Sequence, residues 1–458
     1  MDEKVLSIYE QENTELAEWF LETYYWSHMK DNSDRQDRSH KMLEIIVSPQ
    51  CNLGCKYCYI HKNKNTIFNP CLFDEDKTIK NLVALLKWLA KRELTPPLEI
   101  FSGELLAQNI GWRVLDTIYE FQKDLPEHLR FPNISIPTNF TFLCDDNLTA
   151  KMEDLIEKFK NINIGLLLSA SFDGKYMEDN RPFVRQLDIP IKVVRDDAYY
   201  DKVFAFIKKY GCGIHPMLYS KGMDKWIQNF DWFQEQMEKH DIEWDAIYLL
   251  QVRNPNWTDY DIQHLTKFLR HIYYFAWDKC EHDKTRMKKF LVARRGFNIL
   301  NQMVGVRNRG MGCAIQRTLH IRLSDFSVVP CHRLGYDDLI IGHFEPDEDD
   351  NLKFVNKNIE LLLATNGYHH ECSATCEHCL VRTLCLGGCI GAQQEENKNM
   401  FSNIPSVCKM FHATYVTITK CLVETNCFDI YCENIPNPEA VRDLINLRKV
   451  IENNDSEY

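Results

Sequence analysis

Between residues 41 and 252 short apolar runs of strand length alternate with stretches of helical period, a pattern that fits a mainly parallel α/β sheet and few other architectures. The strand-like runs are MLEIIVS, LEIF, Ile134 to Pro137, Ile164 to Ser171, Ile189 to Val194, Gly213 to Leu218 and AIYLLQV. Leu82, Leu85, Leu86 and Leu89 fall at i, i+3, i+4 and i+7, one face of a helix, and further helices are predicted near 112–121, 147–160, 200–210 and 223–240. Counted as six main β/α units, these runs predict a partial (β/α)6 barrel, TIM-like but open. Such a barrel carries its chemistry on the loops that follow the strands.

The loop after the first strand reads SPQCNLGCKYCYI and sets Cys51, Cys55 and Cys58 at CxxxCxxC spacing. Three thiolates so close in sequence suit one iron–sulfur cluster with one iron left without a protein ligand. The chain holds 18 cysteines, and they crowd its last third. No basic-then-apolar N-terminus suggests export, so this usage points to metal binding in the cytoplasm and not to disulfides. Zinc is the competing metal for the C-terminal cysteines, because CxxC pairs are also zinc-ribbon spacing. A formal charge of −12 without a Lys/Arg block argues against nucleic acid as a partner. No run of about 18 apolar residues predicts a membrane span.

Residues 1–40 read as a helical extension and linker, with Leu16, Trp19, Phe20 and Tyr24 on one predicted helical face and the polar run KDNSDRQDRSHK behind it. Residues 41–305 form the predicted partial barrel with bridging helices, and 306–458 a cysteine-rich domain with a C-terminal helix.

By these residues and their spacing the first cysteine loop resembles that of the radical SAM family, with Tyr57 in the aromatic position of its CxxxCxΦC pattern. The resemblance implies a [4Fe–4S] cluster on Cys51, Cys55 and Cys58 that binds S-adenosyl-L-methionine and releases a 5′-deoxyadenosyl radical. FSGELL after the second strand stands where the family has a GGE-type motif, so Ser102, Gly103 and Glu104 are expected near the methionine amino group. PTNF resembles the TNG that ends the third strand and offers Thr138 and Asn139 to the ribose. SASFDG is similar to SxDG, with Ser171 for the methionine carboxylate and Asp173-Gly174 as the turn, while Arg181 in EDNRP offers a bidentate partner for that carboxylate. For each the alternative is an ordinary turn residue, or for Arg181 an exposed surface arginine.

Cys376, Cys379, Cys385 and Cys389 at CxxCxxxxxCxxxC spacing, followed by Cys408 and preceded by Cys313 and Cys331, resemble the SPASM extension with its two auxiliary [4Fe–4S] clusters. Three clusters are therefore expected in all. Carried over by position, Cys376, Cys379, Cys385 and Cys408 hold the outer cluster, and Cys313, Cys331 and Cys389 the inner one. Leu319 stands where a further inner cysteine is expected, and Phe326 replaces the glycine of the hairpin in SDFSVVPC. The inner cluster then either keeps an open iron, the favoured reading, or is completed by Cys372, His320 or His332.

No catalytic acid or base is assigned, since Gln251 after the last strand sits in a plausible place but takes no proton at neutral pH. Cys71, Cys144, Cys212 and Cys280 read as small apolar residues, and Cys421, Cys427 and Cys432 fit no ligand spacing. Tyr273, Tyr274, Phe275 and Trp277 read as helix core. The resemblance implies an enzyme that modifies a ribosomally made peptide or a protein, with thioether crosslinking as leading subtype. Sulfatase-maturase-like oxidation of Cys or Ser to formylglycine is the alternative, and a non-catalytic iron–sulfur carrier or zinc module the alternative of another class. Expected partners are the peptide and a reductant such as flavodoxin or ferredoxin, and a separate leader-binding protein is left open.

Overall fold

The computed structural model describes residues 3–30, 41–62, 73–254, 256–292, 297–301, 317–346, 351–361, 376–385, 387–435 and 437–453. Strands β1 (Met42–Ser48), β2 (Leu98–Ser102), β3 (Asn133–Thr138), β4 (Gly165–Ala170) and β5 (Gly213–Ile214) pair in parallel in that order. Then comes a break. Pro216 has no N–H for a ladder, and the strand expected over 213–218 divides into β5 and β6 (Met217–Leu218), which pairs in parallel with β7 (Leu250–Gln251). An isolated parallel bridge from Ile214 to Ile247 joins the two sheets, so the arc β1 to β7 is an open, partial TIM-like barrel.

The helices between strands follow from capped, amphipathic segments. Asp74 accepts from the Lys77 amide at the start of helix Glu75–Lys91, and Asp145 and Asp196 cap Asp146–Asn161 and Asp197–Tyr210 in the same way. Leu82, Leu85, Leu86 and Leu89 are all buried, as their spacing requires. They meet Leu43, Ile45 and Val47 of β1 in one core, while Ile46 on the opposite face packs inside the barrel with Phe101 and Tyr59.

Residues 189–194 form no strand. Pro190 interrupts the run, and the main chain of Ile191 pairs instead with a side chain: its amide donates to Gln186 Oε1 at 2.9 Å and its carbonyl accepts from Gln186 Nε2 at 2.9 Å. In the N-terminal helix Glu3–Tyr24, only Phe20 of the four expected face residues is buried. The buried stripe is Ala17, Phe20, Leu21 and the following Tyr25, and Leu16, Trp19 and Tyr24 face outward.

The outer edge of β1 is taken by β8 (Thr318–Arg322), again in parallel, with Glu44 opposite His320. Strands β9 (Ser327–Val329), β10 (Gly342–Pro346) and β11 (Leu352–Asn356) continue the sheet as antiparallel hairpins, giving nine strands in order β11-β10-β9-β8-β1-β2-β3-β4-β5. The β8–β9 turn keeps the backbone shape of the expected glycine although Phe326 occupies it, at φ +57°. Burying the ring against Phe344 offsets that cost. Helices Asp259–Lys279 and Pro405–Glu424 pack together and tie the barrel to the C-terminal region. No helix among the described residues is long and apolar enough to cross a membrane.

Candidate functional site

The ends of β1, β2 and β3 are laced together by the residues expected around the first cysteine loop. Ser102 Oγ donates to the Ser48 carbonyl at 2.7 Å, the Gly103 amide donates to the same oxygen at 2.7 Å, and the Glu104 amide donates to Gln50 O at 2.8 Å. Gly103 is required by space: a Cβ there would stand 2.2 Å from the Gln50 carbonyl oxygen. Gly103→Ala is therefore expected to destabilise the chain by about 1–3 kcal/mol. A wild-type urea midpoint would refute this.

Glu104 is buried, and its carboxylate accepts from Thr138 Oγ1 (2.7 Å), the Asn139 amide (2.6 Å) and the Leu106 amide (3.2 Å). Burial pushes it up to about 7 against those three donors. Asn139 is spent in the same lattice: its Nδ2 donates to Asn52 Oδ1 at 2.8 Å and its Oδ1 accepts from Thr141, which fixes the residue next to Cys51. Tyr57 donates its hydroxyl to Asp173 Oδ2 at 2.7 Å, and the Arg181 guanidinium lies over its ring at 5.4 Å.

Cys51, Cys55 and Cys58 stand at the C-terminal end of β1 close enough to raise one another's pKa. Burial, then Glu104 and the neighbouring thiols, push Cys51 up, and burial pushes Cys55 up to about 11 against the pull of Arg181. Thiols so raised lose their protons to a bound metal centre, which a three-cysteine cluster site requires. Beside them lies a narrow cleft lined by Asn139, Ser171, Arg181 and Arg195 among others.

The two arginines differ. Arg181, offered by the sequence for a carboxylate, is already engaged: Nε lies 2.9 Å from Asp173 Oδ1 as an ion pair, at an angle that makes no hydrogen bond, and Nη1 donates to Ser171 O at 2.6 Å. Arg195 donates Nη1 to the Arg181 carbonyl at 2.9 Å and keeps Nη2 buried without a hydrogen-bond partner. Arg195 Nη2 is thus a buried donor on the cleft with no hydrogen-bond partner, and sequence reasoning misses it because IKVV has the composition of a strand. Its signal was a basic residue directly before the Asp196 helix cap.

In the C-terminal region Cys376, Cys379, Cys385 and Cys408 line one cavity of about 330 Å³, and Cys389 stands on its wall with them. Asn403 Nδ2 donates to Cys376 Sγ at 3.1 Å, and His412 Nε2 lies 3.5 Å from Cys379 Sγ. Burial pushes Cys385 up to about 12 and Cys408 up to about 11. Cys389 differs: burial would raise it, but Arg333 and Arg253 outweigh that and hold it below the ordinary thiol value. Cys331 lies two residues before Arg333, whose amide donates to its Sγ, against the helix that Cys389 begins. Cys313, Cys372 and Cys71 fall outside the described residues.

Leu319 is buried in β8 opposite Leu43 and offers nothing to a metal. His320 and His332 both turn Nδ1 to Glu44. Gln251 Nε2 donates to Thr414 Oγ1 at 2.7 Å, and its buried Oε1 has no partner. The segment after β7 joins the two cysteine regions: Asn254 Nδ2 reaches Tyr57 O at 3.4 Å, and its Oδ1 accepts from Arg333 at 3.0 Å. The single cysteines behave as read, with Cys212, Cys280, Cys421 and Cys427 buried and Cys144 and Cys432 half-buried. Tyr273 is buried and Tyr274, Phe275 and Trp277 pack around it on their helix.

The structure of anSMEcpe with bound AdoMet and Cp18Cys peptide superposes on this chain with a TM-score of 0.54 at 17% identity, covering 84% of this chain and 99% of that one. The fold is that of anSMEcpe. Two structures of Streptococcus suis SuiB, one bound to S-adenosylmethionine and one to precursor peptide SuiA, give TM-scores of 0.44 and 0.46, each at 14% identity over 80% of this chain and over 74% and 76% of theirs. No family model and no curated protein sequence matches the chain.

Proposed function

We propose that this chain is a radical S-adenosylmethionine enzyme of the SPASM type that modifies a peptide by hydrogen abstraction from carbon. The observation that carries the reading is the placement of three neighbouring thiols, Cys51, Cys55 and Cys58, at the mouth of an open parallel barrel, beside a cleft lined by Arg195, whose Nη2 has no hydrogen-bond partner. The anSMEcpe fold, seen with AdoMet and a peptide, supports it. A [4Fe–4S] cluster on those thiolates, with the bound sulfonium, supplies the 5′-deoxyadenosyl radical.

The chain's own residues then bind and orient. Ser102 and Gly103 keep β1 and β2 in register under the loop, Arg195 takes the methionine carboxylate with Ser171 beside it, and Glu104 takes the methionine ammonium. Arg181 and Asp173 hold Tyr57 and the cysteine loop in place. Cys376, Cys379, Cys385 and Cys408 would hold an outer auxiliary cluster, and Cys331 and Cys389, with Cys313, an inner one, whose chemistry there would be electron transfer. Thioether crosslinking stays the leading subtype because Leu319 supplies no fourth inner thiolate, which leaves room for a substrate sulfur. The reaction draws its electron from a flavodoxin or ferredoxin and belongs in a reducing cytoplasm.

The test is anaerobic incubation of the full chain with S-adenosylmethionine and dithionite. Release of 5′-deoxyadenosine supports the reading, and an intact sulfonium sinks it in favour of an electron carrier or zinc module. Glu104 adds a pH signature. Its acid form must lose a proton to pair with the ammonium, so S-adenosylmethionine affinity is expected to fall up to about tenfold per pH unit below about 7 and to level off above it. Calorimetry in buffers of different ionisation enthalpy should register proton release at pH 6; a pH-independent affinity between 5.5 and 8 would remove Glu104 from this role.

A further inference from the structure

Glu44 lies on the barrel face of β1, where its parallel neighbours are His320 on β8 and Glu99 on β2. His332, in the turn after β9, reaches the same carboxylate. His320 Nδ1 stands 2.8 Å from Glu44 Oε1, and His332 Nδ1 stands 2.9 Å from Oε2 and 3.2 Å from Oε1. One donor atom from each residue falls within 4.8 Å of the others. Glu44 and His320 are 2% and 1% exposed. The His332 ring is held flat between Phe101, with centroids 4.7 Å apart at 4°, and Tyr59, at 5.7 Å and 15°. The proposed radical chemistry uses none of these three residues.

From this geometry we infer that Glu44, His320 and His332 bind a single divalent transition-metal ion of the zinc type, separate from the cysteine sites. Two donors held about 2.1 Å from one ion at about 90–110° stand about 3.0–3.4 Å apart. The carboxylate–imidazole separations already approach that spacing, so only a small opening is needed for an ion to replace the protons between them. Two imidazoles and a carboxylate make a borderline nitrogen and oxygen set, suited to zinc and unlike the thiolate sets of the iron–sulfur sites. His320 offers Nδ1 to this site, and its Nε2 on the far side of the ring is buried with no hydrogen-bond partner. Glu99 is the candidate fourth ligand. Burial and then the neighbouring Glu44 carboxylate push it up to about 7, and a dication between the two acids would remove that repulsion. The ion would tie β1 to β8 and to the turn that carries Cys331.

The experiment uses the full chain, purified without oxygen, incubated with Zn²⁺ and desalted. One zinc per chain is expected beyond the iron. Its X-ray absorption edge should show nitrogen and oxygen only, at about 2.0–2.1 Å, with no sulfur shell at about 2.3 Å. Glu44→Gln preserves the shape and should weaken zinc binding at least tenfold while iron and sulfide stay unchanged. His332→Asn, at a half-exposed side chain, should do the same if Glu44→Gln proves poorly folded. A sulfur shell, zinc binding indifferent to both variants, or loss of iron in His332→Asn with nitrogen coupling vanishing from the cluster's electron paramagnetic signal would each overturn the assignment. The last outcome would make His332 a cluster ligand.

Discussion

Replacing Cys51, Cys55 and Cys58 together by alanine is expected to abolish 5′-deoxyadenosine formation and to lower iron and sulfide by about one third, leaving the C-terminal clusters in place. The expectation follows from where charge sits. Cys55 is raised to about 11 and Cys51 is raised as well, chiefly by burial, so at neutral pH the bare loop is a set of thiols that become ligands only when an iron centre compensates their negative charge. The cysteines lining the 330 Å³ cavity lie on other elements and keep their own surroundings. Chromatography of the nucleoside product and colorimetric iron and sulfide analysis decide the matter. Persistent cofactor cleavage in the triple variant, or loss of all iron, would remove the assignment.

Asp173→Ala should destabilise the chain by about 3–5 kcal/mol, because it leaves the Arg181 guanidinium buried without a counter-charge. The side chains of Arg181 and Asp173 are 9% and 0% exposed, and water has little access to replace the lost partner. The same carboxylate accepts from Tyr57 and from the Met217 amide at 3.0 Å, so its removal frees the cysteine loop from β6 as well. Asp173→Asn should cost less, since an amide oxygen can still accept one of these bonds. Urea unfolding midpoints of the two variants would show the order. A loss under about 1 kcal/mol for the alanine variant would mean that Arg181 finds solvent, contrary to its burial.

The fold was legible wherever local pattern and long-range pairing agreed. Leucines at 82, 85, 86 and 89 marked a helix because their spacing is that of one buried face, and MLEIIVS marked a strand because β1 is covered on both sides. The run Ile189 to Val194 had the composition of a strand but no strand partner: Pro190 offers no N–H, and the Gln186 side chain takes the main-chain bonds of Ile191. In the N-terminal helix the apolar residues cover more than one face, so periodicity alone could not tell that Ala17 and Leu21 go inward while Trp19 stays out. At the site, the motif Ser102-Gly103-Glu104 was visible because glycine is demanded by the Gln50 carbonyl. Arg195 was not, since its importance lies in one unpaired nitrogen that only the packing reveals.

The pairing of β8 with β1 has a consequence for how the chain is made. Glu44 and its partner His320 are separated by 276 residues. At the usual pace of translation, about 5–20 residues per second, the rim of β1 waits roughly 14–55 s on the ribosome for the strand that will cover it. Through that interval an apolar strand with free main-chain groups is open to any passing polypeptide. Yield of native protein in the cell should therefore depend on a chaperone that shields a nascent barrel, and on growth temperatures low enough to keep competing associations slow.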